Sequence, residues 1–105
     1  ISFIEADGDG SRVFERWAEA SAGPSPGRAV VSMVCIKDGG GRLLLAIYED
    51  NGDGVFSPRL DRLVATLSDE SPSASFGLPA GRSVYHLAAS YSGGPAEYAI
   101  FAEAI

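Results

Sequence analysis

The sequence predicts an all-β fold: an antiparallel β-sandwich of about seven to eight strands, with one short N-terminal helical segment. From residue 27 onward, short apolar runs are separated by Gly, Pro, Ser and Asp clusters at intervals of about ten residues, the spacing of strands joined by tight turns. Inside the runs the apolar residues alternate with period two, as a half-buried strand requires. A chain of 105 residues has room for one core, so 1–105 is read as a single domain.

Taken in order, ISFIE at the start reads as a short strand. RVFERWAEAS at 12–21 fits two templates: alternation groups Val13, Glu15 and Trp17, whereas a helix groups Val13, Phe14 and Trp17. Local propensity favours the helix, since Glu, Arg and Ala are good formers and Gly23-Pro24 is a stop; tertiary pairing can override that preference. AGPSPG at 22–27 is a connector. Strands are then expected near 28–37, 42–49, 61–68, 73–78, 83–91 and 96–102. In the 42–49 run Leu43, Leu45 and Ile47 share one face and Leu44, Ala46 and Tyr48 the other, so it reads as a central strand. Period two places Tyr85, Leu87 and Ala89 inward and sends His86 outward with Val84 and Ala88. It likewise places Tyr98, Ile100 and Ala102 inward and Glu97 and Glu103 outward.

Fourteen acids against eight bases give a net charge of -6, which disfavours a nucleic-acid partner because a phosphate backbone needs a positive footprint. No apolar run approaches the roughly 18 to 20 residues that span a bilayer, so the chain is not read as membrane-spanning. The acids gather in a few short segments, which suits cations. The single cysteine, Cys35, lies in an apolar run and reads as a buried thiol. A first residue of Ile1 is read as a processed mature protein or an excised domain, with export expected.

The stretch YEDNGDGVFSPRLD, residues 48–61, carries the strongest candidate site. Glu49, Asn51, Asp53, Gly54 and Phe56 meet the first part of an EF-hand pattern, but Leu60 stands where the bidentate acid belongs and Asp61 comes one residue late. This is no EF-hand. A looser calcium loop drawing on Glu49, Asp50, Asn51, Asp53 and Asp61 stays open, beside the plainer reading of a tight acidic turn in which Asn-Gly and Asp-Gly supply positive φ. EADGDG at 5–10 offers a second acidic turn with fewer ligands. His86, the only histidine, has no GxSxG, HExxH or CxxC companion, so a hydrogen-bonded or solvated strand histidine is the favoured reading over a catalytic one. Tyr85, Tyr91, Tyr98 and Phe101 form either a contact patch or a core with one edge residue.

Two resemblances follow from these motifs. LPAGRSVYHLAASYSGGPAEYAI at 78–100, with GDGSRVF at 8–14 and RLLLAIYEDNGDG at 42–54, resembles the bacterial pre-peptidase C-terminal domain: a Pro-Ala-Gly turn, a Tyr-rich strand, a Gly-rich hairpin and a final Tyr strand. That resemblance implies a non-catalytic extracellular β-sandwich appended to exported proteins, in some cases calcium-stabilised or polymer-binding. VSMVCIKDGG at 31–40 followed by LLLAIYEDNGDGVFSPRLDRLV at 43–64 is similar to the head of type II secretion and type IV pilus minor pseudopilins. This implies a head subunit of a filament. The long apolar N-terminal helix of pilins does not occur here, so such a helix was removed, comes from a partner chain, or marks a likeness limited to the turn. The expectation is therefore a secreted or cell-surface structural or binding module acting by contact with a protein or extracellular polymer. A self-associating, pilin-like filament head is the alternative and a small hydrolase the less favoured one, with calcium as the only cofactor considered.

Overall fold

The computed structural model describes the backbone of residues 2–21 and 24–104, and the side chains of Glu5 and of residues 24–104; Ile1, Ala22 and Gly23, which belong to the expected first strand and connector, lie outside the described residues. The described chain is all-β, with six strands and no helix: β1 (Ser2–Ser21), β2 (Gly27–Lys37), β3 (Arg42–Glu49), β4 (Arg62–Ser68), β5 (Ser73–Leu78) and β6 (Arg82–Ala104). Every pairing is antiparallel, in the order β4-β3-β6-β2-β5, with β1 also on β6.

The long β6 organises the sheet. Its first half, through Ser92, pairs with β3, and its second half, from Glu97, pairs with β2, so β2 and β3 follow one another along the same edge. β1 runs along the opposite edge of both halves. The sheet thus folds about the crossing at 92–97 into a nearly barrel-shaped body. Residues 69–72 link β4 to β5, with Met33 N donating to Pro72 O at 2.7 Å, and no ladder joins β4 and β5 among the described residues.

The folded sheet encloses one core. Val31 and Met33 of β2, Leu43, Leu45 and Ile47 of β3, Leu67 of β4, Phe76 and Leu78 of β5, and Tyr85, Leu87, Tyr91, Tyr98 and Ile100 of β6 are all buried. β3 is central, as its two apolar faces predict, and its inward trio is the expected one. The aromatic cluster resolves into three core tyrosines and a half-exposed Phe101.

Several expectations require correction. The segment 12–21 is strand and not helix, because pairing with β6 from Ser11↔Ser90 to Ser21↔Arg82 satisfies its backbone and outweighs its propensity. The acidic segment 5–10 lies inside β1 and is not a turn. Six strands stand where seven or eight were expected, since ISFIE merges with 12–21, and 83–91 merges with 96–102.

The second merger has a clear cause. The glycines of SYSGGPAEY do not make a hairpin; they let two backbones touch. A Cβ on Gly93 would lie 2.4 Å from the Gly41 Cα, and one on Gly41 would lie 2.0 Å from the Ser92 carbonyl oxygen. Gly94 N donates to Gly39 O at 3.0 Å, so the β2–β3 turn rests directly on the crossing of β6. Pro95 falls at the irregularity opposite Ala6 and Gly8, where its missing N–H costs no ladder bond.

Cys35 is exposed, not buried. It follows Met33 on the inward parity of β2, opposite Tyr98, but there the body opens onto a rim that includes Asp38, Asp69 and Glu70. Ala102, expected inward, is also exposed near the end of β6.

A buried Asp-His-Asp constellation as the candidate functional site

The loop after β3 folds back over the outer face of the sheet. Asp50 extends the ladder by one bond, its N–H donating to Val84 O at 2.8 Å, and this sets its side chain on the same outward parity as Tyr48. His86 pairs with Tyr48 across β3 and β6 and shares that face. Phe56 then covers it: the Phe56 ring lies 5.1 Å from Tyr48 and 5.6 Å from His86, centroid to centroid. His86 is accordingly only 2% exposed although it points away from the core. Strand parity was right, and the loop overrode what parity implied for exposure.

Beneath this lid His86 Nε2 lies 2.9 Å from Asp50 Oδ1, each side chain 3% exposed. Asp61, also buried, completes the group: one ligand-capable atom from each of Asp50, Asp61 and His86 lies within 4.8 Å of the others. The two carboxylates organise the loop through backbone N–H groups. Asp50 Oδ2 accepts from Gly52 N at 2.9 Å and Gly54 N at 3.0 Å. Asp61 accepts from Asn51 N at 3.1 Å through Oδ1 and from Ser57 N at 2.9 Å through Oδ2, while its own N–H donates to Ser57 O at 2.8 Å. Gly52 at φ 106° and Gly54 at φ 75° adopt the left-handed region that turns these donors inward.

The electrostatics follow from the same bonds. Burial pushes the Asp50 carboxyl up, but hydrogen bonds from His86, Gly54 and Gly52 and the charge of His86 outweigh it and hold the group at about 2. Asp50 is therefore a carboxylate throughout the ordinary pH range.

Of the five ligands expected for calcium, the structure brings together Asp50 and Asp61. Glu49 instead faces Arg62 at 3.4 Å and accepts from the Tyr85 hydroxyl at 3.3 Å. Asn51 Oδ1 accepts from Asp53 N at 3.2 Å, and Asp53 Oδ1 from Val55 N at 2.9 Å, each closing a local Asx turn. Among histidine, cysteine and carboxylate side chains of the described residues, the set that converges is two carboxylates and an imidazole, whereas calcium takes about six to eight oxygens. Glu49, Asn51 and Asp53 thus direct their side-chain oxygens to local partners, and Asp50 and Asp61 are the two of the five that converge with His86.

His86 is the member that sequence reasoning missed. Its signal was present in part, because parity grouped it with the outward face of β6 and the run ending at Tyr48 pointed Asp50 the same way. The register that sets Tyr48 beside His86 is a long-range property. A separate groove of about 320 Å³ is lined by Arg42, Leu43 and Leu44 of β3, Ser68, Asp69 and Glu70 at the end of β4, and Ser90, Tyr91 and Ser92 of β6, with Arg42 ion-paired to Glu70. Compared with models of protein families and with curated proteins, the chain matches none.

Proposed function

We propose that the chain is a non-catalytic structural or binding module of an exported protein or surface assembly, acting by contact through its outer surface. One observation carries this reading: the only histidine and the two buried carboxylates are spent on clamping a surface loop to the sheet. His86 lies beneath Phe56 and is 2% exposed, so a substrate has no approach to it without displacement of the lid. The rim groove is lined among the described residues by the Arg42–Glu70 ion pair, Asp69, Tyr91, three serines and two leucines, with no histidine or cysteine.

Within this reading the fold is a two-layer sandwich closed at one corner. In that picture the two halves of β1 and of β6 would count as separate strands, although each is continuous in the chain and all six strands pair in one sheet. Secretion to the cell surface and contact with a protein or an extracellular polymer belong to the same proposal, as does the resemblance to pre-peptidase C-terminal domains. Calcium enters only as a ligand that would have to rearrange the loop, since it needs oxygens that Glu49, Asn51 and Asp53 now direct elsewhere.

The test has two arms. Chromogenic ester, phosphoester and glycoside substrates are incubated with wild-type protein and with His86→Gln; no turnover above buffer is expected, and wild-type turnover that the variant loses would overturn the non-catalytic reading. Fractionation of cells producing the natural full-length protein should place it outside the cytoplasm; a purely cytoplasmic pool would refute the exported part.

A further inference from the structure

We propose that Asp50, Asp61 and His86 form a binding site for a divalent first-row transition-metal ion of borderline character, with zinc as its probe. The proposal rests on the structural-module reading, to which it adds a staple.

The donor chemistry argues first. One imidazole nitrogen with two carboxylate oxygens is a set that suits zinc and its neighbours, which take nitrogen and oxygen ligands, and does not suit calcium. The dimensions argue second. With bonds of about 2.0 to 2.2 Å, ligand atoms on a tetrahedral metal lie about 3.3 Å apart. Here His86 Nε2 and Asp50 Oδ1 lie 2.9 Å apart and one atom from each of the three residues stays within 4.8 Å of the others, so shifts of about an ångström seat an ion.

Charge argues third. Two buried carboxylates face one imidazole, and among the described side chains no lysine or arginine pairs with Asp50 or Asp61. These three side chains are net negative whether or not the ring is protonated, a charge that backbone N–H groups of the loop support and a cation would complement. A divalent cation with a neutral imidazole brings the charge to zero.

The surroundings are already those of outer-shell support. Each carboxylate oxygen facing the loop backbone accepts N–H groups from Asn51, Gly52, Gly54 or Ser57, which fix the carboxylate planes. An oxygen with one such bond keeps a second lone pair for a metal. The ion would replace the His86–Asp50 hydrogen bond, and the imidazole would coordinate through Nε2 without its proton.

The experiment titrates chelator-treated wild-type protein with zinc chloride by calorimetry and follows the His86 ring by long-range proton–nitrogen NMR. His86 is the only histidine, so its signals report the site without a variant. One saturable site per chain is expected, with shifted ring nitrogens and a higher thermal midpoint. Asp61→Asn and His86→Gln should each weaken binding at least tenfold, Cys35→Ser should leave it unchanged, and calcium should leave the ring signals in place.

No saturable zinc binding, or binding that survives His86→Gln and disappears in Cys35→Ser, would overturn the site. Failure here leaves the contact-module reading untouched, because substrate turnover and cell fractionation are separate measurements.

Discussion

At the scale of single residues, Asp61 and Asp53 look alike in the sequence and differ in the fold. Asp61 is buried and holds Asn51 N and Ser57 N, so truncating it strands two donors in a covered loop. Asp61→Ala should lower stability by about 2 to 4 kcal/mol in urea denaturation, whereas Asp53→Ala, which frees only the exposed Val55 N, should cost less than about 1 kcal/mol. Equal effects would mean that Asp61 does not organise the loop. Tyr98 gives a residue-scale test on the alkaline side. Burial raises its hydroxyl above the ordinary tyrosine range, and the charge and hydrogen bond of Asp69, 3.2 Å away, raise it further. The folded state thus favours neutral Tyr98: its contribution is fully present below about pH 10, the unfolded value, and is lost as pH rises towards the higher folded value. Stability measured from pH 8 to 11 should fall for wild type and fall less for Tyr98→Phe; parallel curves would refute the assignment. Asp50 and Asp61 were legible as candidates because acids among glycines mark a turn. His86 was not, because its partnership depends on which residue of β3 lies beside it, and no local pattern states that.

At the scale of elements, the legible strands were the short ones. β2 to β5 match the runs read from period-two alternation, because each is bounded by Gly, Pro or Ser clusters that do turn the chain. β6 defeated the same rule, because Gly93 and Gly94 serve close approach to the 39–41 turn and leave the strand continuous. The distinction is measurable by alanine. Gly93→Ala and Gly41→Ala each force a Cβ into backbone less than 2.5 Å away, contacts that no side-chain rotation relieves. Each should lower the thermal midpoint by roughly 10 °C or more, the equivalent of about 2 kcal/mol in a domain of this size. Gly77→Ala meets nothing within 4 Å and should be neutral or slightly stabilising through reduced freedom of the unfolded chain. If Gly93→Ala proves as mild as Gly77→Ala, the crossing is looser than described. The 12–21 segment failed for another reason: helix propensities differ by only tenths of a kcal/mol per residue, and a ladder along β6 outweighs them.

At the scale of the whole molecule, the proposed contact module and its filament-head alternative differ in self-association, on which the exposed apolar residues bear. Among residues 24–104, the large exposed apolar side chains fall in three places. Val34 and Ile36 lie on β2 with Phe101 nearby across the ladder, Leu44 and Leu63 lie on β3 and the start of β4, and Val55 and Leu60 ride on the 50–61 loop. Small groups of exposed apolar residues are ordinary on a monomer, whereas a filament contact needs a contiguous patch of some hundreds of Å². The net charge of -6 adds mutual repulsion between copies, screened only over distances of about 8 to 10 Å at moderate salt. Sedimentation velocity across a hundredfold concentration range should therefore give a single monomer boundary at both low and high salt. Growth of the sedimentation coefficient with concentration would favour the filament reading. If that growth then vanished in a Val34→Ser, Phe101→Ser double variant and persisted in Leu63→Ser, it would place the contact on the β2–β6 face.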